Sequence, residues 1–168
     1  MRGLIFDPFS GISGDMTVAG LLDLGLPLEW LQRFVADLRL GELRVGAEKV
    51  QRKGIAATRL LLELPHEHAH RHLHHVVAII EKTGVSPEVR DRAVHAFTLL
   101  AEAEAAVHGT TVQRVHFHEV GALDAIVDVL CAVAGAHELM LVRKDPCRDE
   151  ESRVVPDPEP GAPAEEGQ

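Results

Sequence analysis

The side chains best suited to chemistry form two histidine-bearing clusters that lie far apart in the sequence. Residues 66–75 hold six of the eleven histidines, and residues 116–124 combine two more with Glu119 and Asp124. Neutral imidazole is the commonest protein ligand for late first-row transition metals. Because the chain has only two cysteines in 168 residues, this pattern indicates nickel, zinc or cobalt rather than an iron–sulfur cluster or a disulfide framework.

In the first cluster, His66, His68 and His70 alternate along the chain. In an extended segment they project to one side, close enough to share a metal ion. The alternative is a solvated tract that binds metal only adventitiously, as any run of histidines does. A functional role is favoured because the run lies between a predicted strand and a predicted helix, where functional loops are common.

The second cluster leads into an apolar helix that carries two carboxylates. If residues 115–120 are extended, His116 and His118 point the same way. Asp124 and Asp128 follow, four residues apart on the helix, and like charges at that spacing repel each other, more so when buried. A cation, a metal or a basic partner is therefore expected beside them. The alternative is that Asp124 caps the helix and Asp128 reaches solvent.

A third segment, residues 7–15, leads from a short apolar run through a glycine- and serine-rich turn into a helix. Backbone N–H groups at a helix N-terminus suit a phosphate, and Ser10 and Ser13 add hydroxyl donors. Because Asp7 and Asp15 bracket the turn, the pattern favours phosphate bound together with a divalent cation, and it lacks the lysine of a P-loop. The alternative is a tight turn with Asp15 as the helix N-cap.

The elements expected to position these segments give an α/β fold. It has a small sheet of three or four strands with helices packed on it, and an α-rich second half. Strands are predicted at residues 3–7, 43–50, 55–64 and 115–120, with a hairpin turn at Lys53-Gly54. Helices are predicted at residues 16–24, 27–38, 71–84, 86–109 and 122–139.

Composition excludes some classes of function. The net charge of −9 argues against a nucleic-acid surface. No apolar stretch is long enough to cross a membrane, and the N-terminus lacks a signal-peptide pattern, so a cytoplasmic protein is expected. Residues 142–168 hold five of the nine prolines and few apolar side chains. They are predicted to be a disordered tail that follows a domain of residues 1–141.

Two long segments resemble the signatures of a known family. Asp7-Pro-Phe-Ser-Gly-Ile-Ser-Gly-Asp-Met16 and His116-Phe-His-Glu-Val-Gly-Ala-Leu-Asp-Ala-Ile-Val-Asp128 look like those of the LarC family. These are the nickel insertion proteins for the nickel-pincer nucleotide cofactor of lactate racemase. The His-x-His-x-His-Arg segment between them is similar too, and the resemblance covers residues 1 to about 140.

The resemblance implies a lyase-class cyclometallase that inserts Ni²⁺ into pyridinium-3,5-bisthiocarboxylic acid mononucleotide and hydrolyses CTP, bound with a divalent cation. It implies that nickel is handled by His66, His68, His70, His116, His118 and Glu119. Four carboxylates would organise a cation or accept the proton lost from the ring carbon: Asp7, Asp15, Asp124 and Asp128. The nucleotide phosphate would be held by Ser10, Gly11, Ser13 and Gly14.

Typical family members are much longer, with a C-terminal region associated with CTP binding and assembly into oligomers. The chain is therefore expected to act as an N-terminal part that needs the C-terminal half of a family protein, with a homo-oligomer as a further expectation. Two alternatives remain open. One is a nickel-binding or storage module without catalysis. The other is a metal-dependent phosphate hydrolase built on the loop from Asp7 to Asp15 and on His118.

Overall fold

The computed structural model describes residues 4–8, 10–64, 71–117 and 121–142. The predicted α/β class is confirmed: within these ranges the chain forms five helices and a two-stranded antiparallel sheet. In chain order, the elements are α1 (Gly14–Asp23), α2 (Leu28–Asp37), β1 (Arg44–Arg52), β2 (Ile55–Glu63), α3 (Leu73–Lys82), α4 (Pro87–His108) and α5 (Leu123–Val142).

The two strands form the predicted hairpin. Arg52 pairs with Ile55 across a two-residue turn in which both Lys53 (φ 49°) and Gly54 (φ 82°) have positive φ. This is the backbone of a type I′ turn, whose twist matches that of the flanking strands. One face of β2 is turned inward, with Leu60 buried, while the exposed Leu61 lies on the other face. The alternation of side chains along β2 thus gives the strand one buried face.

Helix α5 lies at the centre of the fold and packs against α1, α2 and α4. It is apolar on most of its surface, as expected of a helix that is covered on several sides. Helices α1 and α2 also cover β2 and β1, respectively, and α3 packs on α4. None of the helices that the structure describes is long and apolar enough to cross a membrane. The buried side chains of α5 are Leu123, Ile126, Val127, Leu130, Cys131 and Ala134.

The described part of the sheet has two strands rather than the predicted three or four. The strand predicted at residues 3–7 is not found, since residues 4–8 have no regular structure and the side chain of Ile5 is 89% exposed. An apolar run becomes a strand only where another strand pairs with it. The strand predicted at residues 115–120 is reduced to one bridge, between Arg71 and Phe117, and residues 118–120 lie outside the described ranges.

Candidate functional site

A single backbone bridge brings the end of the histidine-rich run against the second cluster. The N–H of Phe117 donates to the carbonyl oxygen of Arg71 at 2.9 Å. The Arg71 guanidinium then donates to the carbonyl oxygen of Gly121 at 2.8 Å. A Cβ on Gly121 would lie 2.9 Å from the Cβ of Phe117. Only glycine at position 121 therefore allows the two segments to come this close. The two clusters, distant in sequence, therefore meet at one place.

Four imidazole rings gather at this bridge, and we call them the histidine junction: His72, His74, His75 and His116. The ring centroid of His72 lies 3.9 Å from that of His116 and 5.4 Å from that of His74. His72 Nδ1 lies 2.8 Å from the carbonyl oxygen of Val115. Because a carbonyl only accepts hydrogen bonds, Nδ1 carries the hydrogen in this contact.

His75 differs from the other members of the junction. Its Nδ1 accepts a hydrogen bond from the backbone N–H of His72 at 3.3 Å. Partial desolvation, and then the positive charges of His74, His72 and Arg71, lower the pKa of His75. Its ring is therefore neutral at neutral pH, with the hydrogen on Nε2, and the lone pair at Nδ1 is already used.

The histidine junction was only partly predicted from the sequence. His116 lies in it and is exposed, whereas His72, His74 and His75 had not been predicted as ligands. The signal that could have found them is the continuation of the histidine run beyond Arg71. Within the described ranges, no three His, Cys, Asp or Glu side chains converge closely enough to hold a metal ion. The other predicted ligands lie outside those ranges: His66, His68, His70, His118 and Glu119.

The second candidate centre is Asp128, which lies against the N-terminus of α1. Its carboxylate accepts a hydrogen bond from the backbone N–H of Asp15. An ideal Cβ on Gly14 would lie 2.4 Å from Asp128 Oδ2, so only glycine allows this approach. The prediction that Asp15 is the N-cap of α1 is wrong: the N-cap is Ser13, and Asp15 lies in the first turn. The carboxylate at the helix end comes from α5 instead.

Burial, followed by the charges of the Asp15 and Asp124 carboxylates, raises the pKa of Asp128 to about 6. The side chain is half-buried, so the alternative that it simply reaches solvent does not describe it. Asp124 is exposed and its carboxylate accepts from the N–H of Ala125 at 2.7 Å. A carboxyl group that titrates near neutrality is suited to accept a proton in a reaction at neutral pH.

The loop before α1 is a tight turn. The N–H of Gly11 donates to the carbonyl oxygen of Pro8 at 3.0 Å, and Gly11 has a φ of 85°, in the left-handed region that favours glycine. The Ser13 hydroxyl donates to the carboxylate of Asp15. The exposed residues of the turn are Ser10, Gly11 and Ser13. Asp7, before the turn, is also exposed, and Gly14, at its end, is partly buried. Because the Asp128 carboxylate already lies at this helix end, we expect phosphate to bind here only with a cation.

Helix α5 connects the two candidate centres. Gly121, just before α5, contacts the bridge at Arg71 and Phe117, and Asp128 lies within the second turn of the helix. At 1.5 Å per residue, the distance along this segment is about 10 Å. The bridge beside the histidine junction and the Asp128 carboxyl group are thus linked by one short stretch of chain.

Known proteins resemble this chain along most of its length. The sequence model of a family described as nickel insertion protein matches residues 4–145. A relative from Geobacter sp. (strain M21) is 47% identical over 136 residues. Its name assigns it provisionally to nickel insertion. The match covers 80% of this chain and 35% of the relative. A second relative, from Desulfitobacterium hafniense (strain DSM 10664 / DCB-2), is 44% identical over 135 residues, which are 80% of this chain and 34% of that protein.

The Desulfitobacterium protein is named pyridinium-3,5-bisthiocarboxylic acid mononucleotide nickel insertion protein. The chain spans about a third of the length of these curated relatives. No solved structure matches it. The family match extends from the loop before α1 through the histidine junction and α5, and so includes both candidate centres. The chain therefore belongs to the nickel insertion protein family.

Proposed function

We propose that this chain takes part in inserting nickel into pyridinium-3,5-bisthiocarboxylic acid mononucleotide, as the N-terminal part of a longer functional unit. The name of the Desulfitobacterium relative supports this substrate. The structural observation that carries the proposal is the arrangement along α5. The histidine junction, in which the ring centroids of His72 and His116 lie 3.9 Å apart, borders Arg71, which contacts Gly121 just before α5, and Asp128 lies in the second turn.

Nickel is a substrate in this proposal. Imidazole is a borderline ligand that binds nickel well, and the thiocarboxylates of the precursor are softer sulfur ligands that would receive the metal. Formation of the nickel–carbon bond displaces a proton from the pyridinium ring. Asp128, whose pKa is raised to about 6 by burial and then by the charges of Asp15 and Asp124, is the group proposed to accept that proton.

The remaining roles are proposed from the family signature. His66, His68, His70, His118 and Glu119 are proposed to bind nickel together with the histidine junction. The turn formed by Ser10, Gly11, Ser13 and Gly14 is proposed to hold the nucleotide phosphate, with a divalent cation between it and the carboxylates of Asp7 and Asp15. CTP is proposed to bind to the C-terminal half of a family protein, which would also support a homo-oligomer. The reaction is proposed to take place in the cytoplasm.

The experiment that tests this proposal is the activation of apo-lactate racemase. The purified chain is incubated with Ni²⁺, Mg²⁺, CTP and the thiocarboxylated precursor, with and without the C-terminal region of a family member. Activation is expected only when the C-terminal region is present, and an Asp128→Ala variant is expected to slow it. If no combination activates the racemase while the chain still binds nickel stoichiometrically, the storage module is the better description. CTP hydrolysis by the chain alone, without precursor, would instead favour the phosphate hydrolase.

A further inference from the structure

We infer that a cleft beside the C-terminal half of α5 binds a small organic cation whose positive group is carried on a planar, apolar body. The cleft has a volume of about 310 Å³ and lies between α2, the segment that joins α3 to α4, and α5. Its first residue on α5 is Ala134, about 9 Å along the helix from Asp128. The described residues that line it include none from either candidate centre, so the inference goes beyond the proposed function and does not rest on it.

The size and the floor of the cleft suit a small molecule. Pockets that hold small ligands have volumes of roughly 300–1,000 Å³ and are lined mostly by apolar side chains with a few polar groups. Here the floor is formed by Leu38, Val89 and Ala134, which are all buried. Because the volume is at the lower end of that range, the occupant has the size of a single substituted ring rather than of a nucleotide.

One wall of the cleft is aromatic. Trp30 and Phe34 lie one turn apart on α2, with their rings nearly parallel and the ring centroids 5.2 Å apart. Both residues line the cleft and are partly buried. The face of an aromatic ring attracts a cation within about 6 Å of its centroid, most strongly for tryptophan. A planar cation can also stack on such a ring. This wall therefore favours a flat, positively charged group.

The charged side chains of the cleft are mainly carboxylates. Asp37 and Glu138 line it from α2 and α5, and the described lining residues include no lysine or arginine. Within the described ranges, neither carboxylate forms a hydrogen bond or an ion pair. Asp37 is the last residue of α2, where the helix dipole makes a carboxylate unfavourable. His137 also lines the cleft, but its Nε2 lies 2.8 Å from a carboxylate oxygen of Glu88. A positively charged ligand would supply the missing compensation.

The lining residues set the class of ligand. Within the described ranges, no three His, Cys, Asp or Glu side chains are placed to hold a metal ion, which argues against a bare cation. An anion would be repelled by both carboxylates, and a neutral molecule would leave them uncompensated. An amidinium or guanidinium group on a ring fits the wall, the floor and the charges together, because it is flat and donates paired N–H bonds to a carboxylate.

The test uses the tryptophan of the cleft as its probe. Because Trp30 is the single tryptophan of the chain and lines the cleft, its fluorescence reports binding there. The full chain is titrated with benzamidine, with benzamide, which has nearly the same shape and no charge, and with benzoate, which has the opposite charge. Benzamidine is expected to bind about fivefold more tightly than benzamide, through one cation–π contact and one exposed ion pair. Benzoate is expected not to bind.

Variants locate the charge that the cation meets. Asp37→Asn and Glu138→Gln are each expected to weaken benzamidine binding about 2–5-fold and to leave benzamide binding unchanged. The matched control is Glu102→Gln, at an exposed carboxylate of α4 outside the cleft, and circular dichroism checks the folding of each variant. Equal affinities for benzamidine and benzamide, or equal affinities for benzamidine in all three variants, would overturn the inference. So would binding of an arginine-containing tripeptide without binding of benzamidine, because the cleft would then be a docking site for another protein.

Discussion

At the residue scale, Asp128 is a carboxyl group that the fold holds partly in its neutral form. Burial and the nearby carboxylates of Asp15 and Asp124 raise its pKa from 3.8 to about 6. The folded chain therefore binds this proton more tightly than the unfolded chain does. The stability that Asp128 contributes is fully present below pH 3.8 and is lost as the pH rises through about 6. Ionised Asp128 thus destabilises the fold at neutral pH.

We predict that Asp128→Asn raises the free energy of unfolding at pH 7 by about 1 kcal/mol, after allowance for solvent screening of a half-exposed group. The amide oxygen can still accept the hydrogen bond from Asp15, but the repulsion is gone. Urea unfolding followed by the fluorescence of Trp30, the single tryptophan, measures this between pH 4 and 8. The advantage should shrink towards pH 4, and Asp124→Asn at the exposed position should show a smaller effect. An advantage of equal size at every pH would contradict the assignment.

At the scale of elements, the contact between α1 and α5 depends on the absence of a side chain at Gly14. A Cβ there would lie 2.4 Å from Oδ2 and 2.5 Å from Cβ of Asp128. Since the Asp128 Cβ is fixed by the backbone of α5, a rotation of the side chain cannot remove the overlap. Any larger residue at position 14 must push the two helices apart, and with them the loop before α1.

We predict that Gly14→Ala lowers the free energy of unfolding by about 1–3 kcal/mol, the usual cost of overpacking. The matched control is Gly20→Ala on the exposed side of the same helix, where nothing lies within 4 Å of the new Cβ. That change should raise stability by about 0.5–1 kcal/mol, because alanine loses less backbone entropy than glycine. Thermal unfolding of both variants gives the comparison. If both substitutions stabilised the chain, the close contact between Gly14 and Asp128 would be wrong.

The elements that could be predicted from the sequence are those whose signals are local. The turn at Lys53-Gly54 and the helix predicted at residues 86–109 depend on signals within a few residues, and both are confirmed. The strand predicted at residues 3–7 failed because pairing depends on another segment. The bridge from Arg71 to Phe117 was missed for the same reason. A pattern of residue types shows which side chains can bind a metal, but not which distant segments meet.

At the scale of the whole molecule, α5 organises both the core and the candidate site. Its apolar surface is covered by α1, α2 and α4, which explains why Asp128 meets the end of α1. The sequence identified Asp128 as an unusual charge on an apolar helix, but its partner is set by how the helices pack. The apolar side chains of Ile12 and Met16 are exposed beside this contact.

The division into a domain of residues 1–141 and a disordered tail of residues 142–168 remains a proposal, and it makes a final prediction about the whole chain. The family match ends at residue 145, and the buried apolar side chains of the described ranges run from Val18 to Ala134. A chain ending at residue 145 should therefore keep its free energy of unfolding within about 0.5 kcal/mol of the full chain, as a change remote from packed groups does. Its nickel affinity should also be unchanged. Urea unfolding and nickel titration of both chains measure this. A loss of stability above about 1 kcal/mol would show that residues 146–168 pack on the domain.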